Sequence, residues 1–160
     1  MFSRYILLMF LFCWLGGNAR NTTDKLFFEH LTTEDGLSHN YIQSIFQDED
    51  GFIWLGSDNG LNCYDGQRID VFTTHTQPIT LGGNRIRGIV QDKDKNLWIL
   101  HENGVDRLMH STRRIKTIYY EGEHKKGLYG MGIDMDGNWI GYSEKHLVKC
   151  DSGKDTLYVF

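Results

Sequence analysis

Basic residues are few in this chain and nowhere clustered: 17 Lys and Arg are scattered among 21 Asp and Glu, giving a formal charge of -4 and a pI of about 5.9. A nucleic-acid footprint needs grouped cations facing phosphate, and a membrane patch needs a polybasic segment. Neither is expected here. Long apolar runs are lacking too. The uncharged run at residues 5–15 is well short of the roughly 20 residues a helix needs to cross a bilayer. Catalytic signatures are missing: no Gly-x-Ser-x-Gly elbow, no phosphate-binding loop, no His-Glu-x-x-His. Gly127, Gly130 and Gly132 have the wrong spacing for a dinucleotide fingerprint, and the seven histidines share no metal spacing. No metal or other cofactor and no catalytic residue is expected. With one Pro, 18 Gly, 40% hydrophobic and 13% aromatic residues, the composition is that of a globular chain.

What is present begins with a leader. Arg4 precedes the apolar run, and residues 16–19 then supply small side chains at the positions a signal peptidase reads. Residues 1–19 therefore read as a signal peptide, and the rest as an exported chain of about one domain. Cys13 leaves with the leader. Cys63 and Cys150 remain in an oxidising compartment, which invites a disulfide.

A repeat organises residues 38–160. Ile42, Asp48, Gly51, Trp54 and Gly56 in the first unit return, 44 positions on, as Ile86, Asp92, Lys95, Trp98 and Leu100. A third unit carries Asp134, Gly137, Trp139 and Gly141, with one residue fewer before its Trp. Ser44, Gly88 and Gly130 keep a small residue in the first strand. The acidic turns resemble the opening of a calcium loop, but the further oxygen ligands and the distal Glu are missing, so turn chemistry is expected of them. Asp-Gly and Asn-Gly pairs mark tight hairpins, and no window shows a helical apolar stripe. Each unit parses into four short strands, and a period of 41–44 residues is that of a propeller blade. The expected fold is all-β: a partial β-propeller of about three four-stranded antiparallel blades, near 41–80, 84–124 and 127–160. The three tryptophans are expected at equivalent positions between sheets. Cys63 and Cys150, a blade apart, should then not pair.

Upstream, Phe28, Leu37, Asn40 and Ile42 match Phe72, Leu81, Asn84 and Ile86. Within the N-terminal segment 20–37, residues 26–31 thus read as the outer strand of an incomplete blade, closing against strands beyond residue 160. Three blades make no ring, so a piece of a longer protein is expected, with self-association as the alternative.

The run from Phe28 through Leu31, Glu34, Asp35, Gly36, Leu37, Ser38 and Asn40, then Asp48, Gly51, Trp54 and Gly56, then Gly60, Tyr64 and Gly66 resembles the two-component regulator propeller repeat. That resemblance implies the N-terminal periplasmic sensor region of a hybrid two-component histidine kinase. Such proteins are anchored in the inner membrane, dimeric at full length, and carry kinase, receiver and DNA-binding domains that these residues do not include. It also implies oligosaccharide ligands and, for this chain, no enzymatic activity of its own. Sugars need aromatic faces and planar polar groups on loops. His39, Asn40, Tyr41, Asn84, Arg85, Arg87 and Tyr129 lead into or lie on the first strands, at the central mouth, and are the ligand candidates; Asn40 and Asn84 read equally as loop caps. The competing reading is a structural or interaction propeller with no small-molecule ligand.

Overall fold

A computed structural model of the chain describes residues 28–118, 128–144, 146–151 and 156–160. The leader and the first residues of the N-terminal segment lie outside them. All three sheets belong to the unit spanning residues 31–160. Of the short unit before it, residues 28–30 are described and take no strand pairing; nor does Leu31. Leu26 and Phe27 lie outside the described residues.

Alternating side chains and Asp/Gly turns give twelve strands. The first sheet is β1 (Ile42–Gln47), β2 (Ile53–Ser57), β3 (Gly60–Tyr64) and β4 (Ile69–Phe72). The second is β5 (Ile86–Gln91), β6 (Leu97–His101), β7 (Gly104–Leu108) and β8 (Ile115–Ile118). The third is β9 (Gly130–Ile133), β10 (Trp139–Tyr142), β11 (Leu147–Asp151) and β12 (Thr156–Val159). Every sheet is an antiparallel meander in chain order. β1 lies beside β5 and β5 beside β9, so the first strands of the three sheets line one side, as in a propeller.

Two hydrophobic clusters hold the sheets face to face. Trp54, Leu61 and Cys63 meet Ile89, Leu97, Ile99 and Leu108 between the first and second sheets. Trp98, Leu100 and Val105 meet Trp139, Val148 and Cys150 between the second and third. Glycine matters where sheets approach closest: a Cβ on Gly56 would sit 2.6 Å from Cγ2 of Ile86.

The repeated Asp is a turn keystone. Asp48 accepts from the backbone N–H of Asp50 and Phe52 and, at 2.8 Å, from the Trp54 indole. Asp92 repeats this with Asp94, Asn96 and Trp98, at 2.9 Å to the indole. These carboxylates are occupied by N–H donors. Gly51 and Gly137 adopt the left-handed φ their turns require. Lys95 takes the same region at φ 62°, which strains a non-Gly residue by roughly 1–2 kcal/mol. Its Nζ reaches Asp50 of the first sheet at 2.7 Å, so the strained residue also ties two sheets together.

Trp139 departs from the expected equivalence. In the first two sheets the Trp pairs with the second residue before the turn Asp, as Phe46–Trp54 and Val90–Trp98. In the third, Trp139 pairs with Ile133, the residue next to Asp134, and Ile140 takes the Trp position opposite Gly132. The turn itself keeps its length, the Asp N–H bonding the C=O four residues on in all three sheets, and the Trp comes one residue sooner after it. Because strand side chains alternate faces, a Trp one position earlier in its strand, where Ile53 and Leu97 stand in the other sheets, points to the opposite face. Trp54 and Trp98 point forward to the next sheet; Trp139 points back. It stacks on Trp98 with ring centroids 5.6 Å apart and 17° between planes. Its indole N–H turns to Met131 Sδ at 3.1 Å, and Asp134 is held instead by Lys149 Nζ at 2.6 Å. That ammonium and the Asn138 N–H hold the Asp134 carboxyl well below the usual carboxylate range.

Cys63 and Cys150 form no disulfide, each lying buried in a different cluster. Burial pushes the Cys63 thiol up from about 9 to about 11, with the Asp48 carboxylate adding to it. The thiolate is the reactive form, so two pH units mean about a hundredfold less of it near neutrality. Iodoacetamide at pH 8 should therefore label Cys63 at least about a hundredfold more slowly in the folded chain than in urea, read by mass spectrometry. Equal rates in both states would contradict its burial. Since the folded value lies above the unfolded one, the stabilisation tied to this thiol is complete below pH 9. It is lost as pH climbs from 9 towards 11.

Candidate functional site

The loops that lead into the first strands run against the hairpins joining the second and third strands of each sheet. Tyr41 C=O accepts from the Asp58 N–H at 3.4 Å, Asn84 C=O accepts from Gly60 N–H at 2.7 Å, and Tyr142 C=O accepts from Tyr129 N–H at 2.8 Å. All seven candidates thus lie along this one edge.

Their side chains divide by what they already do. Asn40 Oδ1 accepts from Thr33 N–H at 2.9 Å, and Asn84 Oδ1 from Thr74 N–H at 2.8 Å. Both carbonyls are committed to shaping their loops, a capping role. His39 Nδ1 accepts the Tyr41 N–H at 3.0 Å. Tyr41 and Tyr129 hold their rings in solvent.

Two features of this edge have no warning in residue type. The β1–β2 register skips between Ile42 and Ser44, and β5–β6 skips between Ile86 and Gly88. Each skip is a bulge whose extra residue, Gln43 or Arg87, has no cross-strand partner, and both are exposed. Bulges re-aim side chains in this way at the rims of barrels and beside active sites. The β9–β10 register runs without a skip.

The second feature is a polar bridge between sheets. Asp58 accepts from the Gln43 amide and lies 3.6 Å from Arg85 Nε. Glu102 accepts the backbone N–H groups of Asn84 (3.2 Å) and Arg85 (2.8 Å). Beneath them, His101 and Asp106 are fully buried with Nε2 and Oδ1 3.4 Å apart. His101 Nδ1 accepts the Asn103 N–H, which leaves the ring proton on Nε2, facing the carboxylate. Asp106 also accepts the Gly82 N–H at 2.8 Å, as Asn62 accepts that of Ser38 in the first sheet. Gly82 and Gly83 leave no room for a Cβ against the His101 ring, which fixes the loop carrying Asn84 and Arg85. Spacing carried a trace of this: Asn62 and Asp106, like Ser57 and His101, lie 44 positions apart.

These sheets, packed with their first strands side by side, define part of a β-propeller. Residues 36–59 and 80–103 match the family described as two component regulator propeller. A histidine kinase of Formosa agariphila is 30% identical over 70 residues, 44% of this chain and 5% of the kinase. The extracellular domain of a putative hybrid two component system from B. thetaiotaomicron superposes with a TM-score of 0.72 at 21% identity, over 82% of this chain and 20% of that one. Streptogramin B lyase, an enzyme, shares the fold with a TM-score of 0.61 at 15% identity, over 78% of this chain and 42% of that one. The chain thus spans a fifth of that extracellular domain. Among the described residues, no helix is long and apolar enough to cross a membrane.

Proposed function

We propose that this chain is the N-terminal part of an exported, non-catalytic sensor propeller that takes an oligosaccharide at the edge carrying the two bulges. One observation supports this above the rest: Gln43 and Arg87 are turned out of their ladders on the same edge as the solvent-facing rings of Tyr41 and Tyr129. A sugar offers C–H faces to rings and hydroxyls to amide and guanidinium donors. The repeats, shared with a sensor family, point the same way. In the longer protein the ligand signal would pass to kinase domains across the inner membrane, with the remaining blades and a second subunit as partners.

Thermal-shift titration with a panel of neutral and uronic oligosaccharides tests the reading. A binder at a hundred times its Kd should stabilise the fold by about 2.7 kcal/mol. Tyr41→Ala and Arg87→Ala should each weaken that ligand about tenfold while leaving the unliganded melting temperature nearly unchanged, as fits exposed positions. A panel that never shifts the melting temperature, or binding indifferent to both substitutions, rejects the site.

A further inference from the structure

The hairpin between β7 and β8 is longer than its counterpart in the first sheet. There residues 65–68 join the third and fourth strands; in the second sheet residues 109–114 do so, two residues more. In stacked repeats an insertion confined to one unit falls in a loop, often on a binding face. Arg113 and Arg114 end this longer loop. Arg113 takes the left-handed φ of 53° and donates its N–H to Met109 C=O at 2.8 Å. In the first sheet's hairpin Gly66 supplies the left-handed residue. Consecutive hairpins of a meander alternate edges, so this loop lies at the edge opposite the seven ligand candidates.

The hairpin meets the connection from β4 to β5 across an open hollow of about 500 Å³, within the roughly 300–1,000 Å³ of small-molecule sites. One side is apolar: Pro78, Ile79 and Ile115, the two isoleucines packed on the core between the first and second sheets. The other side is Thr112, Arg113 and Arg114. Arg85, Lys95, Arg107 and Lys149 each lie 2.6–3.8 Å from a carboxylate of the fold. Among the described residues, no carboxylate pairs with Arg113 or Arg114. Arg113 acts on the Asp50 carboxylate only from a distance, and Lys95 Nζ already holds that group at 2.7 Å. Two adjacent guanidiniums repel each other, and an anion seated on both relieves the repulsion.

We infer that this hollow binds a small organic oxyanion, its carboxylate, sulfate or phosphate group on Arg113 and Arg114 and its apolar body over Ile79 and Ile115. Guanidinium N–H groups match such oxygens in both charge and geometry. The Thr112 hydroxyl on the same side adds a neutral donor. Both walls belong to the packed pair of first and second sheets, so the site does not rest on the outer sheet faces. It goes beyond the oligosaccharide reading and does not depend on it.

Isothermal titration calorimetry of the purified chain tests it. Benzoate, phenyl sulfate and phenyl phosphate carry the three head groups on one body; benzyl alcohol is the neutral control and inorganic sulfate the head group alone. At low salt at least one of the three should bind, and their order names the head group. Benzyl alcohol and inorganic sulfate should each be at least about tenfold weaker, and high salt should weaken the best probe severalfold. Arg113→Gly removes one guanidinium and suits the left-handed turn; Arg114→Gln removes the other at an exposed position. Each should weaken the best probe about tenfold with circular dichroism unchanged, while Tyr41→Ala and Arg87→Ala leave it as it was. No heat from any of the three at millimolar concentration overturns the inference. So does binding indifferent to both arginine substitutions, and so does benzyl alcohol binding as tightly as the anions. A loss on Tyr41→Ala or Arg87→Ala would put the anion at the other edge and overturn it as well.

Discussion

Trp98→Ala should destabilise the chain by about 3–5 kcal/mol, the range for truncating a buried Trp to Ala. Trp98 is fully buried. Its ring stacks on Trp139, and the Arg107 guanidinium lies 5.1 Å from its centroid. Its N–H is donated to Asp92, a carboxylate 2% exposed. Truncation opens a cavity between the second and third sheets, unstacks Trp139 and removes one donor from a buried charge. Trp98→Phe separates these effects. It keeps most of the ring but deletes the N–H, for a cost of about 1–3 kcal/mol. Urea denaturation followed by circular dichroism gives both differences. A loss under about 1 kcal/mol for Trp98→Ala would mean that this interface does not hold the sheets together.

Inserting one residue between Asn138 and Trp139 should cost about 2–4 kcal/mol, through loss of the buried Trp pair. The insertion restores the spacing of the first two units, six positions from Asp to Trp. It turns Trp139 to the forward face, away from Trp98, and brings its N–H towards Asp134. Tryptophan emission should shift to the red as the ring leaves the buried stack. Unchanged emission and stability would show that a bulge had absorbed the extra residue and that spacing does not set the face.

Much of this fold is written locally. Four strands per unit follow from alternation and from Asp, Asn and Gly at the turns, which act over a few residues. The 44-residue recurrence extends them to a stack of like sheets, and it separates Cys63 from Cys150 without any coordinates. The location of the seven ligand candidates also follows from topology, since every loop into a first strand comes to the same edge. Their individual roles do not. Whether Asn40 caps a loop or faces solvent depends on where Thr33 N–H lies, and Asp58 meets Arg85 only because adjacent sheets bring them together.

The early Trp of the third unit shows where sequence and tertiary structure divide. Its missing residue is visible by counting from Asp134 to Trp139, but a strand can answer a deletion by adjusting a bulge or by reversing its faces. The sequence by itself determined the strands, their turns and their repetition, because these are set by short-range sterics and hydrogen bonding. The tertiary structure decided which face each side chain occupies after the deletion. Trp98 on the neighbouring sheet supplies a stacking partner for a tryptophan that points back, and that packing spans residues 41 positions apart.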